Sequence, residues 1–226
     1  MRFKPFYPIL DTGTAARRGF DPVRAAAQIL EGGAGLLQLR HKGFFSREVF
    51  RQAREIASLC RDSGAQFIVN DRADIAKLFD AGLHLGQDDL SPSDARLVLG
   101  GTLGKSAMLG LSSHNEAQFR AASAEPVDYL ALGPIFGTAT KLNPDPVVGL
   151  DELRRLRPVT TRPLIAIGGI TRANARSVLD AGADSVAVIG DLFPEDGNIG
   201  RRVEQWISLV TEAKANLAAG VKITPE

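Results

Sequence analysis

Two short acidic stretches, Asn70-Asp71 in FIVND and Asp88-Asp89 in LGQDD, each follow an apolar run of strand length. Carboxylates delivered to one rim by successive strands suit a hard cation such as Mg²⁺. That ion takes one or two carboxylates and fills its other positions with water and ligand phosphate. Upstream, LLQLRHKG sets Gln38, Arg40 and Lys42 at alternate positions, so strand geometry turns all three to one side. An arginine and a lysine held together need anions, and a guanidinium fork beside an ammonium matches a diphosphate. Each feature also has a plainer explanation. Asp71 could cap a helix beginning near Asp74, Asp89 could precede the cap Ser91, and the cations could be surface charges past a strand end. Taken together, the carboxylates and the basic fork on the neighbouring strand favour the metal and diphosphate reading. Asp88 rivals Asp89 as a ligand, and spacing alone does not separate them.

A second group of residues has the chemistry of a phosphate site. IAIGGITRANA places Gly168-Gly169 at a strand end and at the opening of a helix, and AVIGDL places Ile189-Gly190 at the end of the next strand. Backbone N–H groups of two such loops, aided by a helix N-terminus, make a phosphate cradle, and glycine lets the backbone come close to the ligand. Thr138, Thr140 and Lys141, in the preceding loop, offer hydroxyls and an ammonium to an anionic oxygen. His41, His84 and His114 lack zinc-type spacing, and the single cysteine cannot complete a cluster. His84 reads as a satisfied interior residue, His114 as a loop residue within reach of substrate, and Cys60 as a buried thiol.

The elements that must position these groups alternate from end to end. Strand-like runs are expected at 7–10, 36–39, 67–70, 83–85, 107–111, 129–132, 164–167 and 186–189. Helical patterns fill 22–31, 47–61, 74–79, 92–99, 116–122, 150–156, 172–180 and 201–218. Near-continuous apolar strands imply burial on both faces, and eight strand–helix pairs with short links predict one closed (β/α)₈ TIM barrel spanning 1–226. The stretch 133–149 is the longest irregular one, and loops of that length are usually functional or mobile. A net charge of +1 gives no reason to expect nucleic acid or an anionic membrane as partner. The N-terminus has too short an apolar run for a signal peptide or a membrane span, so the expected location is cytoplasmic. The last helix could pair two copies in a homodimer or pack on the barrel.

In order and spacing, QLRHKG, FIVNDRADIA, LHLGQDD, GLSSHN, DYLALGPIFGTATK, AIGGIT and AGADSVAV resemble the thiamine phosphate synthase family, over about Leu36 to Phe193. The resemblance implies a transferase that couples hydroxymethylpyrimidine diphosphate to a thiazole phosphate, releasing diphosphate. It places Gln38, Arg40, Lys42, Asn70, Ser112 and Lys141 on the pyrimidine diphosphate, and Arg40, Ser112 and Lys141 at the chemistry itself. It gives Asp71 and Asp89 to Mg²⁺, and Thr138, Thr140, Gly169, Ile189 and Gly190 to the thiazole phosphate. Three positions depart from the family pattern: His41 stands for Glu, Gly137 for Pro and Gly190 for Ser. The alternatives are a thiazole tautomerase on the same barrel, with His114 as acid/base, and a non-catalytic barrel that binds a phosphorylated ligand.

Overall fold

The structure, a computed structural model, describes residues 3–100, 107–138 and 145–219. Eight parallel strands close on themselves in sequence order, each hydrogen-bonded to the next and β8 to β1. They are β1 (Phe6–Asp11), β2 (Leu36–Arg40), β3 (Gln66–Asn70), β4 (Gly82–Leu85), β5 (Leu109–Ser113), β6 (Tyr129–Leu132), β7 (Leu164–Ile167) and β8 (Ser185–Val188). This is the (β/α)₈ barrel that the alternating pattern predicts.

Among the described residues nine α-helices surround or cap the barrel: α1 (Thr12–Arg17), α2 (Pro22–Glu31), α3 (Arg47–Asp62), α4 (Ala73–Leu78), α5 (Pro92–Leu99), α6 (Glu116–Ala124), α7 (Gly149–Leu156), α8 (Ala175–Asp180) and α9 (Ile199–Ala218). Their starts follow side-chain chemistry. Asp21, Ser46, Ser91, Asn115 and Asn198 each accept a backbone N–H of the first turn. Such a cap is worth about 1 kcal/mol. In α3 the buried residues Ala53, Ile56, Ala57 and Cys60 recur at helical spacing and face the sheet. Val203, Trp206, Val210 and Ala213 turn the apolar stripe of α9 inward, and Phe6 stacks on Trp206 at 5.5 Å. Among the described residues no helix is long and apolar enough to cross a membrane.

Alternation along each strand divides the core in two. One large cluster lies between strands and helices; a smaller one, with Tyr7, Ile9, Leu36, Ile68, Tyr129, Ala131, Ile165 and Ala187, fills the barrel interior. The interior is uneven because two strands bring glycine to it. A Cβ at Gly110 would lie 2.0 Å from the Tyr129 ring, so the absence of a side chain there is what lets that phenol occupy the centre.

Three sequence expectations need correction. The helix expected at 172–180 starts only at Ala175, because Asn174 Oδ1 takes the Thr171 amide in a turn. A six-residue helix that begins so far beyond Gly169 gives the cradle no helix N-terminus. The fifth strand starts at Leu109 and runs through Ser113, so Ser112 belongs to the strand and not to the loop after it. No helix was expected before residue 22, yet Asp11 caps α1 by accepting from the Thr14 amide at 2.7 Å.

Candidate active site

The C-terminal ends of the strands open into a cavity of about 870 Å³. That size takes a ligand larger than a simple phosphate. Gln38, Arg40, Lys42, Asn70, Asp71, Ser112, Thr138, Gly169, Ile189 and Gly190 all line it, as do His84 and His114. Residues named independently by strand alternation, by acidic motifs and by glycine loops therefore share one space. Thr140 and Lys141 lie outside the described residues.

The basic fork has an internal counterion that sequence reading missed. Asp11 ends β1 directly opposite Arg40 in the register of β1 and β2, and its carboxylate pairs with the Arg40 guanidinium. Burial pushes the Asp11 carboxyl up, but donation from the Thr14 hydroxyl and amide, together with the Arg40 charge, outweighs it and holds Asp11 below the ordinary carboxylate range. The signal lay in YPILD, where a charged residue closes an apolar strand just as Arg40 closes LLQLR.

Lys42 Nζ reaches Asp71 Oδ2 at 2.6 Å. Asp71 does not cap α4: the capping position is Arg72, which makes no side-chain cap bond. Asp71 instead sits at φ 65°, a left-handed conformation uncommon for a residue with a side chain, and its amide is held by His84 O at 2.8 Å. Strain of this kind gathers at functional sites. Burial raises the Asp71 carboxyl above its usual range; Lys42 opposes that, and the neighbouring Asp89 adds to it. Asp89 Oδ2 accepts from the Gly86 amide at 2.7 Å, so it is turned back toward β4, while Asp88 is exposed. The geometry thus favours Asp89 over Asp88 beside Asp71.

Among the described residues no three His, Cys, Asp or Glu side chains gather as a metal cage. Two carboxylates crowded together, with the Lys42 ammonium for compensation among the described residues, nevertheless fit Mg²⁺, whose remaining positions a diphosphate and water would fill. Next to them, Asn70 Nδ2 is buried without a hydrogen-bond partner. An orphaned buried donor costs about 1–3 kcal/mol, which a ligand oxygen would recover.

Below the rim, His84 Nδ1 meets Tyr129 Oη at 2.9 Å and its Nε2 meets Ser112 Oγ at 2.9 Å. Burial lowers the imidazole to about 4, so His84 is neutral at physiological pH. It is satisfied on both nitrogens, as its strand position implied. His114 Nδ1 bonds the Gly133 carbonyl at 2.7 Å, which ties it to the end of β6.

The opposite side of the cavity is built from backbone. Ile135 N donates to Ile167 O and Phe136 N to Gly168 O, which fastens the loop after β6 to the end of β7. Gly169 has φ 64°, and a Cβ there would come 2.4 Å from the Gly137 carbonyl; glycine satisfies both demands. Beyond Ile189 and Gly190, Asp191 fixes the loop by accepting from Trp206 Nε1 at 2.8 Å and Arg202 Nη1 at 2.9 Å. Arg18, Phe193, Pro194, Glu195 and Asp196 complete this wall, and no motif singled them out.

Fold and site together define a (β/α)₈-barrel enzyme built for phosphorylated ligands. The model of the thiamine monophosphate synthase family matches residues 6–192. The thiamine-phosphate synthase of Koribacter versatilis is 52% identical over 169 residues, covering 74% of this chain and 78% of that protein. That of Chloroflexus aurantiacus is 38% identical over 221 residues, 97% of this chain and 94% of the relative. Among solved structures, the thiamine phosphate pyrophosphorylase of Pyrococcus furiosus superposes with a TM-score of 0.80 at 30% identity, covering 94% of this chain and 98% of its own. The chain belongs to the thiamine monophosphate synthase family.

Proposed function

We propose that this transferase of thiamine biosynthesis joins the methylene carbon of 4-amino-2-methyl-5-hydroxymethylpyrimidine diphosphate to the nitrogen of a thiazole phosphate, giving thiamine phosphate and diphosphate. The observation that carries the reading is that Asp71, paired with Lys42 and neighboured by Asp89, lines one cavity with the backbone loops at Gly169 and Gly190. One end suits a metal-bound diphosphate, the other a monophosphate.

The diphosphate is assigned to Arg40 and Lys42, with Gln38, Asn70 and Ser112 on the pyrimidine and its linkage; Lys141 is assigned a part in charge neutralisation. The thiazole phosphate is assigned to the loop amides at Gly169, Ile189 and Gly190 and to the hydroxyls of Thr138 and Thr140. Asp71 and Asp89 would hold Mg²⁺, which when bound screens the charge of the departing diphosphate.

The 4-amino group donates electrons into the ring as the C–O bond breaks, and the bonding pair leaves with the diphosphate. The thiazole nitrogen then contributes its lone pair to the new C–N bond. No protein nucleophile takes part. The protein's task is to stabilise the charge that develops on the leaving oxygens, which cations placed at the rim do. Arg40 also exchanges one anion for another: its Asp11 contact keeps the guanidinium aimed at the rim before substrate arrives.

A tautomerase would have no use for the Asp71–Asp89 pair or for Lys42, and a binding protein would have no need of strain at Asp71. The test is to mix both substrates with and without Mg²⁺ and to measure diphosphate and thiamine phosphate. Metal-dependent appearance of both in equal amounts is expected; binding of both without either product would reject the reading.

A further inference from the structure

Under the cavity floor, side chains from five strands form one continuous hydrogen-bonded chain. Gln38 Nε2 donates to Tyr7 Oη at 2.8 Å, and Tyr7 Oη meets Tyr129 Oη at 2.7 Å. Tyr129 Oη reaches His84 Nδ1 at 2.9 Å, and His84 Nε2 reaches Ser112 Oγ at 2.9 Å. Gln38, His84 and Ser112 line the cavity, whereas the two tyrosines lie beneath it, 1% and 0% exposed. The reaction assigned above uses only the two ends of this chain.

Counting protons fixes its polarity. A phenol has one proton to give, and a neutral imidazole has one N–H and one lone pair. Tyr7 accepts from Gln38, so its own proton must go to Tyr129. The Tyr129 proton then goes to His84 Nδ1, which leaves the imidazole proton on Nε2, donated to Ser112 Oγ. The Ser112 proton is left over for the cavity, and the Gln38 carbonyl oxygen is left unused by the chain. The opposite polarity requires the Gln38 amide to turn over and every proton to reverse. Any mixed state leaves a buried phenol proton without an acceptor or sets two protons or two lone pairs against each other in a dry interior, where such defects are strongly disfavoured.

We infer that Tyr7, Tyr129 and His84 are positioning residues that lock Gln38 as an acceptor and Ser112 as a donor, so that the two read the donor–acceptor edge of an aminopyrimidine as one linked unit. The inference rests on the cavity being the pyrimidine diphosphate site. It supplies a chemical reason for a buried polar chain where a barrel usually packs branched aliphatics. An acceptor at Gln38 facing the exocyclic amino group would also strengthen that group's electron donation, the step on which departure of diphosphate depends. A pyrimidine carrying an oxo group in place of the amino group would present its acceptor to another acceptor.

The experiment is a double-mutant cycle on the full chain. Tyr129→Phe cuts the middle of the relay without touching the cavity, and Ser112→Ala removes one end. The kcat and KM for each substrate are measured for the wild type, both single variants and the double variant, with melting temperatures alongside. Tyr129→Phe should lower kcat/KM for the pyrimidine diphosphate by about tenfold and leave KM for the thiazole phosphate within about twofold. Ser112→Ala should cost several-fold less in the Tyr129→Phe background than in the wild type, because the linked unit is already broken. Preference for the amino over the oxo pyrimidine diphosphate should fall in step. If Tyr129→Phe proves too unstable to assay, Tyr7→Phe cuts the relay one link earlier and is paired with Gln38→Ala. Multiplicative effects of the two substitutions on kcat/KM, or equal rises in KM for both substrates, would overturn the inference. A wild type that forms no thiamine phosphate would instead remove the reading beneath it, so the two failures are distinct.

Discussion

Asp11→Asn separates what Asp11 does as a helix cap from what it does as a counterion. Asparagine keeps an oxygen for the Thr14 amide and hydroxyl, so α1 should still form. The charge opposite Arg40 is lost. Removing one partner of a fully buried pair costs about 3–5 kcal/mol. Here the Arg40 side chain is 17% exposed at the cavity rim and Asp11 6%, so water recovers part of that. A loss of about 2 kcal/mol is the reasonable figure once this screening is allowed for. In a chain of this size about 1 kcal/mol moves the melting temperature by roughly 2–4 °C, so a fall of roughly 4–8 °C is expected by differential scanning fluorimetry. Inorganic diphosphate offers Arg40 a new anion, and should therefore raise the melting temperature of the variant more than that of the wild type. The pH dependence follows from the depressed folded-state pKa of Asp11. A depressed carboxyl adds stability that is present above its unfolded value, about 3.9, and lost as pH falls through the lower folded value. The gap between wild type and variant should accordingly be full at neutral pH and close in acid below about pH 4. An unchanged melting temperature at neutral pH, or a gap that persists in acid, would refute the assignment of Asp11 as the guanidinium's counterion.

Asp71→Asn should hold the left-handed backbone, which asparagine tolerates, and relieve the crowding with Asp89. Metal-free protein is expected to melt no lower than wild type, while Mg²⁺-dependent diphosphate release falls about 10²-fold or more; near-normal release would remove Asp71 from the metal site. Gly190→Ser places a hydroxyl where a Cβ meets nothing within 4 Å. It should lower KM for the thiazole phosphate by about threefold to tenfold, the net worth of one ordinary hydrogen bond, and a rise in that KM would show that the phosphate lies elsewhere. Gly169→Ala forces a Cβ to within 2.4 Å of the Gly137 carbonyl at a positive φ. KM for the thiazole phosphate should climb with little change in that for the pyrimidine diphosphate, and equal changes in both would mean that the cradle is misassigned.

What could be read from the chain and what could not differ in their physical origin. The eight strands and most helices were legible because burial imposes a period on the sequence, and caps such as Ser46 and Asn115 mark the starts. Gln38, Arg40 and Lys42 were legible for the same reason: alternation alone puts them on one side. The partners of these residues were not legible, because pairing is set by register across the barrel. Asp11 meets Arg40 only because β1 aligns Asp11 with Arg40, 29 residues apart in sequence. The capping explanation of Asp71 was equally reasonable from spacing, and falls because its carboxylate turns to Lys42 instead. Tyr7 and Tyr129 looked like ordinary core aromatics; their hydroxyls carried the one available hint, since a buried phenol must find a partner.

The same distinction settles how the three departures from the family pattern bear on function. His41 alternates away from Arg40 and Lys42, and its ring bonds the Thr12 hydroxyl at 2.8 Å and the Phe44 carbonyl at 3.1 Å. It braces the loop after β2 against the start of α1 and does not line the cavity. Gly137 and Gly190 do line it, and a Cβ at either would stand in open space. The two departures that face the cavity therefore fall at the end assigned above to the thiazole phosphate, and none of the three falls on a residue assigned above to the pyrimidine diphosphate or to Mg²⁺. Lost contacts to a monophosphate, with the leaving-group apparatus intact, act on the binding of one substrate and leave the bond-breaking step alone. Kinetic divergence from the relatives should consequently fall on KM for the thiazole phosphate, and the turnover number at saturation should be the quantity this chain shares with them.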